Sequence, residues 1–63
     1  MNNEYETYYN ACKTIGASIS VKKSGDIVYK IKGDTVKESL INNIINIKQP
    51  DGFGEWLLSS TDD

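Results

Sequence analysis

The stretch GDTVKESLINNIINIK, residues 33–48, constrains this chain more than any other. Val36, Leu40, Ile44 and Ile47 recur at helical spacing with Ile41 and Ile45 beside them, so a helix over residues 35–48 would carry a broad apolar face that must be covered. Asp34 or Thr35 opens it, and Thr35 with Glu38 three residues on makes a capping-box pattern. Pro50 has no amide proton and drives Gln49 out of helical conformation, so the helix is expected to end near Ile47 or Lys48. Its interior is rich in isoleucine and asparagine, with Asn42, Asn43 and Asn46 among them, and these are mediocre helix formers. Packing rather than propensity must hold it.

The preceding residues are patterned to receive that face. Tyr5, Tyr8, Tyr9, Cys12 and Ile15 share one side of a helix over residues 3–15. Asn2 or Asn3 can cap it, Glu4 and Glu6 suit its positive end, Lys13 suits its negative end, and Gly16 can stop it. From Ala17 the period changes from 3.6 to 2, which predicts a β-hairpin over residues 17–32. A two-residue loop at Ser24-Gly25 would pair Val21 with Val28 and scatter the apolar residues over both faces. A loop of Lys23-Ser24-Gly25 instead pairs Val21 with Ile27, Ile19 with Tyr29 and Ala17 with Ile31, and puts Gly25 where a left-handed residue is needed. That register is the one expected, and it sets Lys22 opposite Asp26.

After a turn at residues 50–52, residues 53–58 read either as a short third strand beside the hairpin or as an irregular tail pinned by Trp56. Residues 59–63 are polar and are expected to fray. The fold class is therefore α+β, in the order α-β-β-α or α-β-β-α-β, as a single domain over residues 1–63. This order lacks one strand of the small double-stranded-RNA-binding fold. It also lacks that fold's lysine-rich start to the second helix, where only Lys37 stands, so no family is assigned.

The chemistry is limited by what is missing. There is no histidine, and the one cysteine, Cys12, falls on the inward face of the first helix, so no nucleophile–base pair assembles by the usual means. Glu4 and Glu6 point to different helix faces, while Asp51 and Glu55 lie in or near a turn. No catalytic residue, metal ligand set or cofactor motif is expected, and Gly52-Phe53-Gly54 is too short to cradle a phosphate. A lone cysteine excludes an internal disulfide and fits a reducing cytoplasm, and no apolar run is long enough to span a membrane or make a signal peptide.

What remains points to binding. The expectation is a small non-catalytic module that covers a surface of a larger host protein or complex, with Trp56 as anchor, Phe53 and Glu55 beside it, and the asparagine face Asn42, Asn43 and Asn46 as polar contacts. Lysine without arginine, together with abundant isoleucine and asparagine, is the bias of an A+T-rich coding sequence, which fits a phage or mobile-element inhibitor used in counter-defence or host takeover. The first alternative is nucleic-acid binding by Lys22, Lys23, Lys30 and Lys32 of the hairpin, although a net charge of −2 and the lack of arginine weaken it. A homo-oligomeric structural module is the second, since 63 residues bury only about 60% of their unfolded surface and leave stability marginal.

Overall fold

The first helix forms as α1 (Asn3–Thr14) in the computed structural model, which describes residues 3–60. Glu4 and Glu6 lie in its first turn and Lys13 in its last, each at the end the helix dipole favours. Gly16 follows at φ 82° with its amide on the Lys13 carbonyl, the left-handed stop expected of it. Of the two expected caps, Asn3 is the first residue of the helix itself and Asn2 lies outside the described residues.

β1 (Ala17–Val21) and β2 (Ile27–Ile31) pair antiparallel in the expected register, with Ala17 opposite Ile31, Ile19 opposite Tyr29 and Val21 opposite Ile27. Gly25 takes φ 94° in the connecting turn, its amide donates to the Lys22 carbonyl, and the Lys22 amide donates to the Asp26 carbonyl. The period-2 pattern settled this pairing because a one-residue slip would have turned every apolar side chain to the wrong face.

A third strand is present, but before the second helix rather than after Pro50. Lys32 at φ 53° and Gly33 at φ 85° make a two-residue turn of left-handed residues, the type I′ geometry whose twist matches the strands it joins. The chain returns as β3 (Asp34–Val36), which places Val36 opposite Tyr29 and Asp34 opposite Ile31 in a sheet of order β1-β2-β3. Asp34 and Thr35 therefore cap nothing. The second helix, α2 (Glu38–Ile45), begins after Lys37, whose side chain makes no capping bond, and ends at Asn46 in left-handed conformation, φ 59° and ψ 36°. It is shorter at both ends than the predicted 35–48, because Thr35 and Val36 gain more as a β-branched edge beside β2 than as a helix start. Three strands thus precede the second helix, as in the double-stranded-RNA-binding order, but Lys37 alone stands in place of a lysine-rich start to that helix, which is followed by a further helix.

Residues 53–58 are neither strand nor tail. They belong to α3 (Phe53–Ser60), entered through Gly52 at φ 82°, with the Phe53 amide on the Pro50 carbonyl and the Trp56 amide on the Gly52 carbonyl. Phe53, Trp56 and Leu57 are spaced three and four apart, so the helix presents them together. Gly54 is a poor helix former, but a Cβ there would run into the Gly25 carbonyl oxygen, and its absence lets the first turn of α3 abut the β1–β2 turn. Ser59 and Ser60 close α3 instead of fraying, and residues 61–63 lie outside the described residues.

One core joins all six elements on a single face of the sheet. Tyr8 and Cys12 of α1, Ala17 of β1, Tyr29 of β2, Ile41 of α2, and Phe53 and Leu57 of α3 are buried in it, and half-buried Val36 of β3 packs against it. The opposite face carries Ser18, Ser20, Val28, Lys30 and Thr35, with no helix over it among the described residues. The architecture is α+β, and no described helix is long and apolar enough to cross a membrane.

Candidate binding surfaces

Trp56, the expected anchor, is built into an aromatic stack. Its ring lies against Tyr5 (centroids 5.5 Å apart, planes at 27°) and against Phe53 (5.7 Å, 16°), with Tyr9 edge-on at 6.2 Å. Tyr5 is fixed in turn by a 2.7 Å hydrogen bond from its hydroxyl to the Asp51 carbonyl, which ties α1 to the turn before α3. Trp56 is partly exposed, so what it offers outward is part of a ring already engaged. Phe53 is wholly buried, edge-on to Tyr8 at 5.0 Å, and presents no surface to a partner. Glu55 is exposed on the outer side of α3.

The three asparagines do not form one face. Asn42 turns inward and accepts a 2.6 Å hydrogen bond from the Tyr8 hydroxyl at Oδ1, while its Nδ2 donates to Glu38 Oε2 at 3.4 Å. Asn46 is the left-handed end of α2, and only Asn43 is exposed within the helix. Beneath Asn42 the hydroxyls of Tyr8 and Tyr29 stand 3.1 Å apart, and Tyr29 donates to Gln49 Oε1. Two hydroxyl protons thus serve three contacts. Turning the Gln49 amide so that it donates would complete one directed chain from Gln49 through Tyr29, Tyr8 and Asn42 to Glu38. Burial pushes both phenols and the Cys12 thiol above their ordinary pKa values, so all three stay protonated at neutral pH and the thiol is a poor nucleophile.

The surface missed in the sequence lies on α2. Ile41 is its fully buried residue, whereas Leu40 and Ile44 stand 45% and 49% exposed. The broad face was expected to be covered in full. It is not, because Val36 was drawn into β3 and the short helix turns Ile41 and Asn42 toward the core, leaving the neighbouring i, i+4 row outside. The signal was present in the sequence as two parallel apolar rows, Ile41–Ile45 and Leu40–Ile44, more than a small sheet under other helices can cover.

The four hairpin lysines are all exposed but dispersed. Lys22 and Lys23 lie at the β1–β2 turn, Lys32 lies in the β2–β3 turn at the other end of a five-residue strand, about 17 Å away, and Lys30 stands between them on the open face. An open groove of about 400 Å³ runs between Ser24–Gly25 and residues 49–55, edged by the exposed carboxylates Asp51 and Glu55. Among the described residues no group of three histidine, cysteine or acidic side chains is placed to hold a metal ion. The chain matches no known family, and no characterised protein and no solved structure matches it.

Proposed function

We propose that this chain is a small, non-catalytic protein-binding module that acts as an inhibitor by covering a surface of a larger protein. The observation that carries this reading is the pair Leu40 and Ile44, one helical turn apart and about half exposed in a domain with few apolar residues to spare. Covering what remains exposed of two such side chains contributes about 1 kcal/mol each, enough to seat an interface centre though not to make one alone. Exposed Asn43 beside them supplies a polar rim. Buried, fully protonated tyrosines and thiol are suited to holding the scaffold rigid. The A+T-rich coding bias supports a phage or mobile-element source, action in the host cytoplasm, and counter-defence or host takeover as the setting.

Nucleic-acid contact is the alternative, favoured by the third strand and by Lys30 on the open sheet face. The spread of Lys22, Lys23 and Lys32 to opposite ends makes it the weaker reading, since a backbone-tracking surface needs its cations adjacent. The test is quantitative capture from host lysate by the unaltered protein and by a Leu40→Ser/Ile44→Ser variant of unchanged circular dichroism. A retained protein whose recovery falls at least about ten-fold with the variant is the expected result. Equal recovery by the two, or retention no greater than by a denatured control, overturns it.

A further inference from the structure

The Leu40–Ile44 ridge is bracketed along the chain by two lysines. Lys37 is the residue before the first turn of α2 and Lys48 follows its left-handed end, and both are exposed. The one acidic residue of α2 is Glu38, which is about 140° around the helix from the middle of the ridge and reaches toward Asn42. Lys37 stands at the positive end of the helix dipole, where a cation is disfavoured, and its side chain makes no capping bond. A carboxylate brought there from outside relieves that repulsion. The ridge itself is an i, i+4 pair spanning about 6 Å of α2, one turn of ridge of the kind that packs into the groove of a second helix.

Resting on the binding reading above, we infer that the α2 ridge docks an acidic amphipathic helix of the partner protein. Leu40 and Ile44 enter its apolar stripe, and Lys37 and Lys48 meet carboxylates that flank that stripe. Steering by these lysines runs against the net charge of −2 of the whole chain, so the preference for acid is local to this face.

The test uses the full chain, isotope-labelled, titrated with two helical peptides of about eighteen residues. Both have the same leucine stripe, flanked by glutamates in one and by lysines in the other. The glutamate peptide is expected to shift the amides of residues 37–48 and to bind about ten-fold or more tightly than the lysine peptide, with the gap closing to about two-fold in 1 M salt. Lys37→Ala/Lys48→Ala should remove most of that gap, and Leu40→Ser/Ile44→Ser should remove binding of both peptides. Because all four side chains are exposed, the fold is expected to survive these changes. Equal affinity for the two peptides, shifts centred on Trp56 or on the open sheet face, no binding of either, or a sedimenting dimer held through the same ridge would each overturn the inference. Lysate capture that still depends on Leu40 and Ile44 would then leave the binding reading standing with a different partner chemistry.

Discussion

Tyr8 and Tyr29 meet hydroxyl to hydroxyl in the centre of the molecule, and the consequence is a dependence on alkaline pH. In the unfolded chain the Cys12 thiol ionises near pH 9.0 and the phenols near 10.0, whereas burial holds all three protonated beyond those values in the fold. The folded chain then keeps protons that the unfolded chain releases. Stability from these groups is intact below pH 9 and falls as pH rises, at up to about 1.4 kcal/mol per pH unit for each group. Urea midpoints are expected to decline steadily above pH 9, with phenolate absorbance near 295 nm from Tyr8 and Tyr29 rising only as helical dichroism is lost. Tyr29→Phe should be about 1–2 kcal/mol less stable at pH 7, because Gln49 loses its partner, yet decline less steeply above pH 10. An unchanged slope would show that the Tyr29 phenol is not held protonated by the fold. That Tyr8 lies on the inner side of α1 was legible from its spacing with Tyr5 and Cys12. Its link to Asn42 was not, because nothing local in the sequence marks which of three asparagines turns inward.

At the scale of elements, short hinges of left-handed backbone decided the boundaries. Pro50 announced that the second helix must stop, but Asn46 stops it four residues earlier, since asparagine tolerates φ above zero better than other residues with a Cβ. Asn46→Ala should therefore cost about 1 kcal/mol in urea unfolding, while Asn46→Gly should stay within about 0.5 kcal/mol of the parent. Equal loss in both would locate Asn46's contribution in its side chain rather than its backbone. The turn Lys32-Gly33 went unread for a related reason: lysine at φ 53° carries no local signal, and glycine before Asp-Thr resembles the approach to a helix cap. The Lys23-Ser24-Gly25 turn was legible because alternation on both sides left one register that kept the apolar residues together.

For the whole molecule, α3 is an integral layer. Phe53 and Leu57 are buried against residues of α1 and β1, and Trp56 completes the aromatic stack with Tyr5 and Tyr9. Burying Phe53 and Leu57 contributes about 2 kcal/mol each, and the covered part of Trp56 adds to that, a sum comparable with the entire stability expected of a chain this size, about 3–9 kcal/mol. A chain truncated after Gln49 is expected to show no cooperative transition and the far-ultraviolet dichroism of an unfolded polypeptide. Cooperative melting of the shorter form would make α3 an appendage and would return the aromatic stack to the surface as a candidate interface.

Sequence periodicity alone determined α1, the hairpin and its register, and the α+β class, because in each case sliding or rotating the element would have exposed most of its apolar residues. Only the tertiary structure decided the ends of α2, the place of the third strand and the helical state of residues 53–60. These depend on competition between neighbours for the same short apolar segments. It also decided which α2 row faces out. Leu40–Ile44 and Ile41–Ile45 are equivalent as patterns, and the inward turn of Asn42 to the Tyr8 hydroxyl set Ile41 in the core and left Leu40 and Ile44 exposed.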